Sequence, residues 1–396
     1  MVRKQIAILL TCILIAGMLI GCAHQQTTES GPSEAPSPTI LRTEAPAETD
    51  SVTEAPVTDP AETDAPETDV PETDPTETGA PETDTQEPGK TPAASGDAGS
   101  NPAPESSEEE RNAFYDSFWE LDRDETEAWL AEHPRILSKG YKGILVDESG
   151  LGQDGLDIHT KQGHQVLAID AANGILIVRA YLNRSRAVLV IAQNPSRLRL
   201  CAAAGIGSYG EQIGSICRRN GGVLAMTGSG FDDPNGRGNG GSVYGMCVCG
   251  GRTYGSSLTS DWFRMELLSS NRFIITRAGT ALNASTTDAM EFQPALLIGG
   301  AAQGSPSTWT DNQPRAGIGQ NSRGEILMCA VEGRYADSPG CSVTLLGPLM
   351  QQYGGVTAMS TDGGTTAMVW YRGKPIIRCS NPRTPYGRYL PNAWVY

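Results

Sequence analysis

Three glycine-rich loops hold the side chains best suited to chemistry. The first runs from Thr227 to Gly241 and sets Ser229, Asp232, Asp233, Asn235 and Asn239 among glycines. Glycine lets backbone approach a ligand closely, and the Asn and Asp side chains supply polar contacts. Asp232, Asp233 and Asn235 also form the kind of oxygen set that clamps a divalent cation. The second loop, Pro314-Arg315-Ala316-Gly317-Ile318-Gly319, puts an arginine at the start of a strand. The third, Asp362-Gly363-Gly364-Thr365-Thr366, places one carboxylate and two hydroxyls in a turn between strands.

The elements that must position these loops read as mixed α and β. Residues 111–131 are amphipathic and helical in pattern, with Phe114, Phe118 and Leu121 on one stripe. A second short helix is expected to start at Asp124, with Glu127 completing a capping box, and to stop before Pro134. Helices are also expected near 208–219 and 342–353. Strands are expected at 142–147, 165–169, 174–181, 186–193, 197–202, 222–227, 243–249, 263–268, 272–276, 295–298, 325–332, 356–360, 367–371, 374–378 and 392–396. Asn173-Gly174 marks a hairpin-type turn. Many short strands with few helices point to an α+β fold: a mixed, mostly antiparallel sheet with a few packed helices.

Several chemistries are poorly served. The chain has only four histidines, none after His164, so a Ser-His-Asp or Cys-His hydrolase would have to draw its base from His159 or His164. Those two flank a Thr-Lys-Gln-Gly turn and read as surface residues. Of nine cysteines, the seven after Cys22 are odd in number, which weakens a disulfide framework. Those in strand-like runs read as small buried hydrophobes. Cys247 and Cys249, two apart on a strand, are expected to face opposite sides and to make a poor chelate. Gly205-Ile206-Gly207-Ser208-Tyr209-Gly210 matches a dinucleotide fingerprint, but no second βαβ unit follows it.

Charge divides the chain of 396 residues and net charge −16 sharply. Residues 23–110 carry 22 acids against two bases, whereas 111–396 carry 24 acids and 26 bases. The nearly neutral C-terminal part lacks the clustered basic footprint of a nucleic-acid-binding domain, and it is long enough to bury a substantial core. Residues 1–21 read as an export signal: Arg3 and Lys4, an apolar run from Ile6 to Ile20, then Gly21. Leu19-Ile20-Gly21-Cys22 resembles the bacterial lipobox, which makes Cys22 the lipidated residue and places the protein on the extracytoplasmic face of the membrane. Residues 22–110 then read as the lipid-anchored Cys22 and a disordered acidic linker. Pro-Glu-Thr-Asp recurs there at 66–69, 71–74 and 81–84. Such a composition cannot bury enough apolar surface to offset its ordering entropy. Residues 111–140 form a short helical lead-in and 141–396 the main domain.

Six ordered elements across 140–396 together resemble the bacterial phosphodiester glycosidase family, whose domain is shared with N-acetylglucosamine-1-phosphodiester α-N-acetylglucosaminidase. They are Asn194-Pro195-Ser196-Arg197, the 227–241 loop, 314–319, Glu332-Gly333-Arg334, 361–366 and Arg388-Tyr389-Leu390-Pro391-Asn392-Ala393. The resemblance implies a hydrolase that releases a sugar from a sugar-1-phosphodiester in a surface glycan or cell-wall polymer. Such a reaction needs charge stabilisation at the phosphate, for which arginine's planar fork is suited, and proton traffic at the leaving oxygen. On that basis Asp362, Arg315 and Asp233 are expected to be catalytic. Asp362 is the acid/base or nucleophile, with Asp233 or Asp232 as the second carboxylate that glycoside chemistry usually needs. Ser229, Asp232, Asn239, Arg334, Thr365, Arg388 and Asn392 are expected to hold substrate. No cofactor is firmly implied beyond the candidate divalent cation.

The chain departs from the family pattern at Thr227 and at Ser360-Thr361, where the family commonly has Asn and Asn-Leu. A hydroxyl lacks the amide's paired donor and acceptor. The alternative implied by these losses is a catalytically impaired member that binds surface glycans.

Overall fold

The computed structural model describes residues 108–306 and 309–396. The expected signal, Cys22 and all but the last residues of the expected linker lie outside these residues.

Apolar runs such as Ile175-Leu176-Ile177-Val178 and Ala187-Val188-Leu189-Val190-Ile191-Ala192 form the middle of a nine-stranded antiparallel sheet. Its strands, in spatial order, are Leu145–Asp147, Gln165–Asp170, Ile175–Leu182, Ser185–Ala192, Ile326–Val331, Arg315–Asn321, Gly355–Thr361, Ala295–Ile298 and Ala301–Ala302. Successive side chains on a strand point to opposite faces, and here both faces are covered. Ile175, Ile177, Val188, Val190, Met328 and Ala330 enter one core. Leu176, Val178, Leu189, Ile191, Leu327 and Cys329 enter the other.

Two five-stranded antiparallel sheets share the first core. One is ordered Phe273–Arg277, Phe263–Leu268, Thr286–Phe292, Met246–Cys249, Arg252–Gly255. The other is ordered Lys374–Pro375, Val369–Tyr371, Leu224–Thr227, Asn392–Val395, Arg199–Ala202. Helices cover the second core: Glu108–Ser117, Arg123–Glu132 and Leu346–Gln352. A fourth helix, Ile213–Arg219, buries Ile213, Ile216 and Cys217 in the first core. The fold is therefore α+β and mostly antiparallel, as the pattern implied.

Several local expectations are corrected. The two expected helices are present with shifted bounds, Glu108–Ser117 and Arg123–Glu132. The second is capped by Asp122, whose carboxylate accepts from the Asp124 and Glu125 amides at 3.0 and 3.1 Å; Glu127 instead accepts from Arg111 at 2.7 Å and Tyr141 at 3.0 Å. The helix expected from 208 begins at Ile213 and the one expected from 342 at Leu346, after a 3-10 turn. Thr286–Phe292 is a full strand that the pattern did not predict. Its Asp288 and Glu291 are buried, so acids interrupt its apolar alternation. Alternate residues on a strand share a face, so Cys247 and Cys249 lie on one side with sulfurs 3.9 Å apart. All seven cysteines after Cys22 are free thiols.

Candidate active site

The third loop carries the site's main carboxyl. The strand Gly355–Thr361 delivers Asp362 to the sheet edge, where its amide donates to the Gly228 carbonyl at 3.1 Å. The Gly364 amide donates to the Pro314 carbonyl at 2.9 Å, which fixes the turn against the neighbouring strand. Thr366 donates to the Gly363 carbonyl at 2.5 Å. Below the turn, the buried Thr227 hydroxyl donates to the Thr366 carbonyl and accepts from the Met368 amide at 3.1 Å. The Thr227 hydroxyl thus meets both local needs of the backbone and braces the turn from beneath.

Asp362 opens into a cleft of about 600 Å³. Its walls are the 231–238 loop, Arg334, the 362–366 turn and the 381–389 segment. The Gly363 amide donates to the Asp362 carboxyl at 3.0 Å. Burial pushes the carboxyl up to about 7, more than the hydrogen bonds from Thr366 and Gly363 and the charge of Arg388 pull it down. Desolvation disfavours the charged form of an acid. Asp362 therefore holds its proton near neutrality, which suits a general acid.

Asp233 is in a different state. Arg388 donates to both of its oxygens, at 2.5 and 2.8 Å, and the Gly238 amide adds a third bond at 2.7 Å. These hold its carboxyl below the usual range, the Arg388 hydrogen bond foremost. Arg388 also donates to the Gly238 carbonyl at 2.9 Å and lies over the Phe231 ring at 4.9 Å. The pair staples the first loop to the C-terminal segment. With both Asp233 oxygens held, the set Asp232, Asp233 and Asn235 does not fit a divalent cation as arranged. Among the described residues no group of three or more His, Cys, Asp or Glu is placed for a metal.

Other expected site residues separate into two groups. Arg334 and Thr365 line the cleft. Arg334 is held at φ 67° and its Nε donates to Gln313 at 2.9 Å. Its terminal nitrogens have no carboxylate partner among the described residues, and a Cβ on Gly364 would lie 3.2 Å from one of them. Glycine at 364, itself at φ +62°, thus lets the guanidinium lie over the turn.

Arg315, Ser229, Asn239 and Asn392 are engaged elsewhere. The Arg315 guanidinium is buried and donates to the Cys341, Trp309 and Asp311 carbonyls at 3.0–3.3 Å and to the Asp311 carboxylate at 2.6 Å. It anchors the 309–313 segment rather than facing the cleft. Asn392 accepts from the Ser229 amide at 2.8 Å and donates to the Ser229 hydroxyl at 3.0 Å, and both are fully buried. Asn239 donates to the Ser208 carbonyl at 2.8 Å and accepts from the Gly241 amide at 2.9 Å, joining the first loop to the Gly205–Gly210 turn. Asp232 is exposed and its amide donates to Ser242 at 2.9 Å.

One cleft residue was not singled out from sequence. Arg237 lies in the same glycine-rich loop as Asp233 and lines the cleft, exposed, with no carboxylate partner among the described residues. An arginine inside a Gly/Asn loop was the available signal. Asn381 and Thr384 add polar groups from the 381–389 segment.

The family comparison agrees with this C-terminal placement. The phosphodiester glycosidase family model matches residues 220–396. Among curated proteins none matches the chain. A solved structure of the zebrafish N-acetylglucosamine-1-phosphodiester α-N-acetylglucosaminidase catalytic domain, auto-inhibited by its pro-peptide, is similar at 14% identity and TM-score 0.45. That match covers 56% of this chain and 81% of that one. A protein from Synechocystis is similar at 14% identity and TM-score 0.41, covering 60% and 65% of the two chains. A protein from Burkholderia pseudomallei is similar at 13% identity and TM-score 0.41, covering 53% and 73%. Residues 220–396, the part of the chain that matches the phosphodiester glycosidase family model, carry most of the cleft.

Proposed function

We propose that the chain is an exported, lipid-anchored hydrolase that releases a sugar from a sugar-1-phosphodiester in a surface glycan or glycoconjugate. The observation that carries this reading is the pairing, in one cleft, of Asp362, whose carboxyl burial raises, with two guanidiniums that have no carboxylate partner among the described residues, Arg334 and Arg237. Arginine forks suit a phosphate, and a carboxyl that holds its proton near neutrality can protonate a leaving oxygen. Asp362 is the catalytic residue. Arg334 and Arg237 hold the phosphate, and Thr365 and Asn381 meet sugar hydroxyls. Asp233 and Arg388 position the loop that carries Arg237. Export and anchoring through Cys22 rest on the signal pattern of residues 1–22.

A second reading follows from a specific observation. Of the two acids among the described residues that line the cleft, Asp233 is held by Arg388, which leaves Asp362 without a free carboxylate partner among them. A glycan-binding protein without turnover would have this arrangement too. The test incubates the purified chain with a panel of sugar-1-phosphodiesters, beginning with the methyl diester of N-acetylglucosamine 1-phosphate. Free sugar and phosphomonoester are then quantified. Release supports the hydrolase. Binding by calorimetry without release across the panel, from folded protein, replaces it with the glycan-binding reading.

A further inference from the structure

A second concavity of about 280 Å³ adjoins the cleft. The two share Gln212, whose side chain donates to the Gly387 carbonyl at 3.3 Å. The segment Tyr386 to Tyr389 forms the ridge between them. Tyr386 faces the groove, whereas Gly387, Arg388 and Tyr389 face the cleft. A ligand that leaves the cleft over this ridge enters the groove directly.

The groove combines an aromatic wall with a cation. Tyr386 is 55% exposed. It meets the buried Trp370 edge to face, with ring centroids 6.2 Å apart. The helix Ile213–Arg219 can lie flush on that indole because residue 214 is glycine; a Cβ there would sit 2.7 Å from Trp370 Cζ2. Arg218 extends over the Trp370 ring at 5.9 Å and donates to Ser215 at 3.3 Å. The nearby Glu211 is paired with Arg219 at 2.6 Å, and Arg218 has no ion pair among the described residues.

Rings pack on aromatic faces through their apolar C–H surfaces, and a guanidinium recognises a phosphate. The cleft already offers guanidiniums for one phosphate, and the adjoining groove adds a further cation beside an exposed ring. We propose that the groove is a second subsite that takes the next sugar-phosphate repeat of a polymeric substrate, its sugar on Tyr386 and its phosphate on Arg218. This assignment rests on the hydrolase reading and narrows its substrate class from an isolated diester to a repeating sugar-phosphate chain. Neither residue takes part in the chemical step.

The experiment compares the methyl diester of N-acetylglucosamine 1-phosphate with an oligomer of four N-acetylglucosamine-1-phosphate repeats, using the full chain. The wild type is expected to favour the oligomer in kcat/KM. Tyr386→Ala and Arg218→Ala are each expected to shrink that preference about three- to tenfold, through KM. Tyr386→Phe should keep it. Equal treatment of the two substrates by the wild type, or a preference untouched by both Ala variants, overturns the subsite. If neither substrate is turned over, the hydrolase reading fails and calorimetry decides the groove alone. Oligomer binding weakened by Tyr386→Ala and Arg218→Ala then supports it, and absence of oligomer binding, or binding those variants do not change, overturns it.

Discussion

A buried network of acids and the lone cleft carboxyl of Asp362 show what the fold does when it neutralises charge and when it does not. In the five-stranded sheet that includes Phe263–Leu268, Arg264, Glu266 and Glu291 are all at most 1% exposed. Arg264 bonds Glu266 at 3.0 Å and lies 3.5 Å from Glu291. Glu266 also accepts from Thr276, Thr286 and the Asn283 amide at 2.5–2.9 Å, and Glu291 from Ser257 and the Leu258 amide at 2.6 and 2.7 Å. Burial pushes Glu266 up, but those hydrogen bonds outweigh it and leave the carboxyl below its ordinary value. Asp362, half-buried in the cleft, has fewer partners, and burial leaves it near 7. Satisfied buried charge is structural; an under-satisfied carboxyl in a cleft is where function is to be sought.

The largest expected effect breaks the contrast at its functional end. Asp362→Asn keeps shape and volume but cannot give or take the proton. Turnover of a sugar-1-phosphodiester is expected to fall about 10³-fold, within the usual range for acid–base catalysis. Single-turnover release of phosphomonoester measures it. Turnover within a few-fold of wild type would remove Asp362 from the mechanism.

The structural end should break differently. Arg264→Met leaves two buried glutamates without their cation, a change that typically costs about 3–5 kcal/mol. Urea unfolding followed by tryptophan fluorescence reads the loss. Because the network does not line the cleft, activity per folded molecule should match the wild type. A variant as stable as the parent would mean that the Thr, Ser and amide donors suffice alone.

A smaller pair of changes sharpens the comparison among arginines. Arg334→Ala or Arg237→Ala should each lower kcat/KM about 10- to 100-fold with little change in unfolding midpoint, as expected for loss of a phosphate contact. Arg315→Ala should act through the fold. It removes the donor to three carbonyls and one carboxylate, and a loss of about 1–3 kcal/mol in stability is expected. A differential scan beside steady-state kinetics separates the two kinds of loss. If Arg315→Ala abolishes turnover at full stability, its guanidinium reaches substrate after all.

These arginines also show how far the sequence could be read. The α+β class, the central apolar strands and the position of Asp362 in a strand-to-turn junction were all legible, because each is set by local pattern. Which cations remain free was not. Arg315 is captured by Asp311 four residues earlier and by carbonyls at Trp309 and Cys341, and Arg388 by Asp233 from 155 residues away. Ser229 and Asn392 satisfy each other across 163 residues. No spacing rule reveals such pairings, since they depend on which strands become neighbours: Asn392–Val395 lies beside Leu224–Thr227. The same long-range satisfaction hid the strand Thr286–Phe292, whose Asp288 accepts from the Leu200 and Gly250 amides at 3.2 and 2.9 Å. Arg237 was overlooked for the opposite reason: among the described residues it has no carboxylate partner, and only its place in the cleft marks it.

The smallest expected effect tests the under-satisfied carboxyl directly, without any substrate. The ordinary Asp362 value is 3.8 and its folded value is about 7, so the folded state binds the proton more tightly than the unfolded one. Stability linked to this group is therefore undiminished below about pH 4 and falls as pH rises towards 7. Above 7 the deficit is constant. Asp362→Asn abolishes that dependence, so the variant should equal the wild type near pH 3.5 and exceed it at pH 8. Because the carboxyl still touches the cleft's solvent, the gain should be about 1 kcal/mol rather than the full linkage value. Other raised carboxyls, such as the buried Glu120 at about 8 beside Glu325, tilt both proteins alike and cancel in the difference. Urea midpoints at four pH values measure it. A gain that is flat with pH would place the effect in packing, and a loss at pH 8 would mean that the ionised carboxylate is held by partners that its hydrogen bonding to Gly363 and Thr366 does not provide.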